Sequence, residues 1–504
     1  MRILKNVWFY FGLVVVFTIF INRGYETFFY RPSSFHQWRQ SDGASYALNY
    51  FQNNISFVPP QVHHRYAIDG RAMSELPIVY YTAAQLYRLF GFHDYYIRLL
   101  HFSLYLLGLI YLVKITQLFT NNIALQLTPF LLTITSPLLF FYGANFIPDV
   151  AALGLAIVGL YYFLRYDTTY KNQYLIGMLV FSTLAALLKI SAGIMLIAFI
   201  CFFIYQYIFD RKYFDNNANK FTLSILILLS LATIFGWIQY DKFIATKYKF
   251  GGNLFGFYGI WDADGGQILY IISRIKKLWM PMIFSNLVWL FLVLAVIYLI
   301  ARFKKINPTL RSITIFTAIG VLLYCLAWFR TFDVHDYYLV NTLCLPVLIF
   351  ICFIDVIDKQ QWLATNKNQF YFTACIIIFF LYASYKSMRQ QHYRYFEPEF
   401  NTFNKDYYEV EPYLRSIGLQ PNDLVVSVPD PSPNMSLYLM NQIGFTECYN
   451  SQDYNVNHFI FGEKAKYLII SDSNYIHNPL YQPFCKPENK VGQFNSISIY
   501  KTGQ

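Results

Sequence analysis

Asp42 lies in the stretch HQWRQSDGASYALNYF, residues 36–51, three positions after Arg39 and just beyond the first strongly apolar run. Glu75, Asp149, Lys189, Arg330, His335 and Asp336 fall near the ends of other apolar runs. An ionised carboxylate can take a proton from a nucleophile, and nearby cations can hold an anionic group. An ionisable group at mid-bilayer costs roughly 2.5 to 3.5 kcal/mol on insertion scales, so charges collected at one membrane rim point to a site in an interfacial cavity. Structural readings stand beside this one. Asp42 is also suited to N-capping a helix over 44–51, Asp149 after Pro148 to opening a helix, and Lys189 to snorkelling toward the interface. WDADGG, residues 261–266, could hold a divalent cation through Asp262 and Asp264. It lacks the glutamate of an EF-hand loop and reads more simply as a turn.

The elements that must position these groups span a membrane. Of the 504 residues, 56% are hydrophobic and 13% charged, with mean hydropathy +0.35, whereas soluble domains carry roughly 25% charged residues. About eleven runs are long enough to cross as helices: 5–22, 96–118, 122–142, 149–166, 173–188, 191–209, 221–239, 281–302, 311–328, 337–355 and 369–386. The first follows Arg2 and Lys5 like a signal peptide, but no small-x-small cleavage site follows Asn22, so it reads as a retained span. With Arg2 and Lys5 inside, the short loops holding Lys114, Arg165 with Lys171, Arg211 with Lys212, Arg302 with Lys304, and Lys359 with Lys367 are cytoplasmic. The polar residues above then share the exterior face.

Five of the seven cysteines lie in apolar runs as small hydrophobes, while Cys448 and Cys485 in the tail could pair in an oxidising compartment. The basic residues behind the net charge of +11 are scattered among spans, which argues for anionic lipid and against nucleic acid. Trp38, Tyr46 and Tyr50, and later Leu76, Tyr80, Ala83, Ala84 and Tyr87, recur at helical spacing, so two helices are expected along the membrane surface in the first exterior loop, 23–95. After about residue 395, NDLVVSVPD, AKYLIISDSN and SISIYKT read as short strands and SLYLMNQIG as a helix between them. The fold class expected is an α-helical polytopic membrane protein, with a transmembrane domain over 1–390 and a small α/β domain over 395–504.

The order of segments, with SDGASYALNYF, LPIVYYTAAQLYRLFG, FIPDVAALGLAIVGLYYF, LLKISAG and HDYYLVNTLCLPVL, resembles GT-C glycosyltransferases that use polyprenyl-phosphate sugars. Specifically, it is similar to the relatives of protein O-mannosyltransferases and lipid A aminoarabinose transferase over roughly 1–390. The resemblance implies Asp42 as the base acting on the acceptor hydroxyl. It implies Asp149 as an orienting or metal-linked carboxylate, and Lys189, His335 and Tyr337 as phosphate or sugar contacts, to which Arg330 is added from its place on the same face. Two departures stand out. Asp42 is followed by Gly43 where relatives often carry a second acid, and Glu75-Leu76-Pro77 lacks the relatives' phosphate-binding lysine, leaving Arg71, Arg39 or Arg65 as replacements.

The activity implied is an inverting transfer to a glycan, lipid or protein acceptor, in a bacterial inner membrane with the site and C-terminal domain outside. No cofactor follows from the sequence; a divalent metal ion is considered, with Asp42 and Asp149 as its candidate ligands. The rival class is a flippase or transporter of lipid-linked sugars, whose mark would be spans broken near mid-bilayer.

Overall fold

The structure is a computed structural model that describes residues 6–73, 75–210, 214, 220–250, 256–397, 403–448 and 456–503. Met1, Arg2, Lys5, Arg211 and Lys212, on which the expected orientation partly rests, lie outside the described residues. The chain divides into two compact units. The first comprises Met1–Phe28, Arg98–Ile238 and Phe255–Tyr393, and the second comprises Phe29–Ile97, Gln239–Leu254 and Arg394–Gln504.

Among the described residues seven helices are long and apolar enough to cross a membrane, or nine spans if each of two bent helix pairs counts as one. Those that bear on the site include α4 (Tyr95–Thr116) and α7 (Asp149–Thr169). Val7–Ile21 (α1) and Asn172–Leu188 (α8) are apolar but shorter, at 15 and 17 residues. The bent pairs correct the expectation of unbroken spans. Ile123–Ile134 (α5) and Pro137–Gly143 (α6) meet at 71°, and Gly265–Ile283 and Asn286–Ala301 meet at 96°. In the first pair Ser136 accepts from Leu139 N–H, with Pro137 at the first helical position; a cap and a proline together start a new helix. Polar atoms at such breaks find partners inside the protein, as Ser136 Oγ does by donating to Ile283 O at 2.6 Å.

Glycines let α4 and α7 approach closely. A Cβ on Gly108 would lie 2.5 Å from Gly154 Cα, the small-residue contact that membrane helices use to bring backbones together.

In the second unit, the aromatic spacing of the first loop yields the two expected helices, α2 (Gln37–Gln52) and α3 (Ile78–Phe90). Their faces interlock through edge-to-face pairs Tyr46–Tyr80 at 5.6 Å and Tyr50–Tyr81 at 5.3 Å.

The tail forms a five-stranded sheet in the order β2-β1-β3-β5-β4, made of β1 (Val425–Val428), β2 (Gly444–Thr446), β3 (Tyr467–Ile470), β4 (Lys490–Phe494) and β5 (Ile497–Lys501). The strands β1, β2 and β3 run parallel, and β5 is antiparallel to both β3 and β4. Val426, Val428, Leu468, Ile470, Phe445 and Phe459 fill its core. Residues 63–65 extend the sheet past β2: Gly444 N–H donates to His63 O at 3.1 Å and Arg65 N–H to Gly444 O at 2.8 Å. Tyr66 packs on Phe445 and its hydroxyl donates to Thr446 O. The first loop and the tail are thus one hydrogen-bonded body.

Candidate active site

Asp42 stands in the sixth position of α2, which begins at Gln37 with no side-chain cap at His36. The N-cap reading therefore fails, because a cap precedes the first turn. Its surroundings come from three places in the second unit. Asn434 Nδ2 donates to Asp42 Oδ1 at 3.3 Å and to Ser41 O at 3.3 Å. Asn434 Oδ1 accepts from His63 N–H at 3.2 Å and His64 N–H at 3.3 Å. One turn before Asp42, Arg39 grips Glu75 with a second contact at 2.6 Å, and Tyr80 hydroxyl donates to Glu75 at 2.7 Å.

The residue is half-buried, yet its carboxyl is enclosed enough that burial, opposed by Arg39 and the Asn434 bond and reinforced by Glu75, pushes its pKa up to about 7. A carboxylate at that value is matched to general-base work near neutrality. The neighbouring His63 and His64 are held down to about 3, chiefly by burial and then by the Arg65 charge, so both stay neutral.

Asn434 was not among the residues singled out from the sequence, and local turn chemistry explains how it is aimed. Asp430 Oδ1 accepts from Ser432 N–H at 2.9 Å, and its Oδ2 from Ser436 N–H at 2.7 Å. That fixes the turn PDPSPN ahead of the short helix Met435–Leu439. Tyr438 on that helix donates to Asp94, which Arg31 Nε also holds at 2.9 Å. Of the proposed replacements for the missing lysine, Arg39 is paired with Glu75, and Arg71 donates to Pro59 O at 3.2 Å and faces the Tyr248 ring. Arg65 spends its guanidinium on the carbonyls of Val62, His63 and His64.

The first unit holds a separate cluster. Lys189 ends α8 in extended conformation, and its Nζ lies 3.1 Å from Asp149 Oδ1, at the first residue of α7. Asp149 is fully buried and the Lys189 side chain 19% exposed, so the ammonium is held in an ion pair at the junction of the two helices. The ammonium also sits over the rings of Tyr337 at 4.9 Å and Tyr338 at 4.5 Å, and His335 packs against both in tilted contacts. A buried cation gains from such faces.

Two α4 residues not singled out from the sequence brace the segment leading to Asp149. Arg98 donates to Ala144 O at 2.7 Å, and His101 Nδ1 lies 2.7 Å from Asn145 O. Asp336 is locked by Tyr142 hydroxyl at 2.6 Å. Arg330 stands in the turn Phe329–Asp333, its Nε buried with no hydrogen-bond partner among the described residues.

Asp264 caps the helix Gly265–Arg274 by accepting from Gln267 N–H at 2.8 Å, the turn role expected for WDADGG. Among the described residues no three His, Cys, Asp or Glu side chains stand together as a metal-ligand group; Asp42 belongs to the second unit and Asp149 to the first. Cys448 and Cys485 are not joined by a disulfide.

Residues 74–237 match the family described as dolichyl-phosphate-mannose-protein mannosyltransferase. No curated protein matches the sequence in direct comparison. Among solved structures, ArnT from Cupriavidus metallidurans bound to undecaprenyl phosphate is similar at TM-score 0.62 and 11% identity, covering 98% of both chains. The oligosaccharyltransferase of Archaeoglobus fulgidus, in complex with Zn and sulfate, is similar at 0.56 and 12% identity, over 91% of this chain and 67% of that one. Arabinofuranosyltransferase AftD from Mycobacteria is similar at 0.54 and 11% identity, over 98% of this chain and 40% of its own. The chain therefore has the membrane fold of the GT-C glycosyltransferases, with a segment similar to the dolichyl-phosphate-mannose-protein mannosyltransferases.

Proposed function

We propose that the chain is a glycosyltransferase that moves a sugar from a polyprenyl-phosphate donor to an acceptor hydroxyl or phosphate on the exterior face of the membrane. The observation that carries this reading is the Asp42 carboxyl, held by Asn434 one helical turn from the Arg39–Glu75 ion pair. Where the acceptor is an alcohol, Asp42 takes the hydroxyl proton as its oxygen bonds the anomeric carbon. The bond from that carbon to the phosphate oxygen breaks, and polyprenyl phosphate leaves with the electron pair. Attack from the face opposite the phosphate inverts the anomeric centre.

A departing phosphate needs no acid, so one base and cations suffice. This differs from the acid-and-base pair of a glycoside hydrolase. Lys189 over its two tyrosines, Arg330 with its unmet Nε donor, and His335 are assigned to the anionic and sugar portions of the donor. Asp149 orients Lys189 through their ion pair. The ArnT structure bound to undecaprenyl phosphate supports a polyprenyl-linked donor. No step is routed through a metal.

The test is purified full-length protein incubated with a panel of radiolabelled polyprenyl-phosphate sugars and membrane extract. The expected result is release of polyprenyl phosphate together with a labelled product of inverted anomeric configuration. A retained configuration overturns the direct displacement. A second reading, a flippase for lipid-linked sugars, draws on the helix pairs bent at 71° and 96°. It predicts movement of intact donor across proteoliposomes with no sugar transferred to any acceptor.

A further inference from the structure

A cavity of about 600 Å³ opens inside the second unit, between the start of α2 and the C-terminal sheet. Its volume falls within the roughly 300 to 1,000 Å³ of small-molecule sites. Pro429 and Pro431 follow β1, and Ser471 and Asp472 follow β3, so the cavity lies at the carboxyl ends of two adjacent parallel strands. Open α/β sheets bind ligands at such ends.

Two links tie the cavity to Asp42. Trp38, in its lining, precedes Asp42 by four residues on α2, which sets both on one helix face about 6 Å apart. Met435, also in the lining, directly follows Asn434, the residue that donates to Asp42.

The chemistry of the lining selects its occupant. Among the described lining residues there is no Lys or Arg, His36 is the single basic side chain, and Asp472 contributes a carboxylate. A phosphate entering here would meet a negative group with no fixed cation, so the donor headgroup is a poor fit. Trp38 is 47% exposed, and with Phe403 it offers flat apolar faces, while Gln37 Oε1 and Asp472 Oδ2 add hydrogen-bond acceptors; the Gln37 and Asn404 amide nitrogens already donate to Tyr408 and to Ser471 and Ser496, and Asp472 Oδ1 accepts from Asn474 N–H. Ring faces plus polar edges are what a sugar ring presents in return.

We propose that this cavity holds an uncharged, hydroxyl-rich glycan portion of the acceptor, packed on Trp38, so that one of its hydroxyls reaches Asp42. The proposal deepens the glycosyltransferase reading and rests on it.

The test uses the full-length protein in detergent, with a tritiated neutral glycolipid fraction from the membrane as probe. Retention of the probe on the immobilised protein is measured without donor, and rates are measured with donor across probe concentrations. Trp38→Ala should weaken retention and raise the acceptor KM by roughly tenfold or more, the scale of losing one aromatic anchor, while the donor KM stays unchanged. Trp38→Phe should restore most of the affinity. Equal retention by wild type and Trp38→Ala, or a rise in donor KM alone, overturns the proposal and leaves the transferase reading standing. Retention that depends on Trp38 with no sugar transferred by wild type overturns the transferase reading instead. Absence of both retention and transfer overturns both.

Discussion

Replacing Asn434 with alanine separates the electrostatic role of the C-terminal domain from a merely structural one. The Asn434 bond to Asp42 favours the ionised carboxylate, so its loss favours the protonated form. At 3.3 Å the bond is long, which places its worth near the lower end of bonds to charged groups, about 1.5 kcal/mol. Because about 1.4 kcal/mol corresponds to one pH unit, the Asp42 pKa should climb from about 7 by about one unit.

A base must be ionised to act. At neutral pH the active fraction therefore falls from about one half to about one tenth, and kcat/KM falls roughly fivefold. Raising the pH toward 9 should recover most of the rate. The assay is the pH profile of kcat/KM for donor turnover, with circular dichroism and apparent Tm as controls, since Asn434 also accepts the His63 and His64 N–H groups. A rising limb that stays in place, or a loss equal at every pH, refutes the reasoning.

Other perturbations have their own signs. Glu75→Gln removes a like charge that raises the Asp42 pKa and frees Arg39 to act on Asp42, so the same limb should move to lower pH, opposite to Asn434→Ala. Lys189→Met leaves the fully buried Asp149 carboxylate without its cation. It should destabilise the first unit by about 3 to 5 kcal/mol, read as a lowered apparent Tm in detergent. Adding Asp149→Asn to Lys189→Met should recover most of that loss, and no recovery would mean that the ion pair is not what holds the segment.

The apolar runs were legible because hydrocarbon leaves a chain few options: a run of sufficient length must close its own hydrogen bonds as a helix. The bends were less legible, although Ser136-Pro137 carries a helix-start signal inside an otherwise apolar run. The aromatic spacing around Asp42 predicted α2 and α3, since helical periodicity is a local property. It did not show that α2 starts early enough to place Asp42 in its interior.

Asn434 was out of reach, because it stands 392 residues from Asp42 and meets it only through tertiary packing. The pairing of residues 63–65 with β2 was hidden for the same reason, and β2 itself is only three residues long. The edge strand β4 contains Gly492 and exposed Lys490, so it lacks the alternating apolar pattern that marked β5. Lys189 was legible as an anomaly in AALLKISAGIML, but its partners were not, because its pairing with Asp149 brings together the ends of two helices.

The most direct measurement compares donor turnover by wild type and Asp42→Asn at saturating donor, with donor binding measured in parallel. Loss of the base should lower kcat by roughly 10² to 10⁴ while donor affinity changes by less than about threefold. Turnover by Asp42→Asn at the wild-type rate, with polyprenyl phosphate still released, would contradict the account.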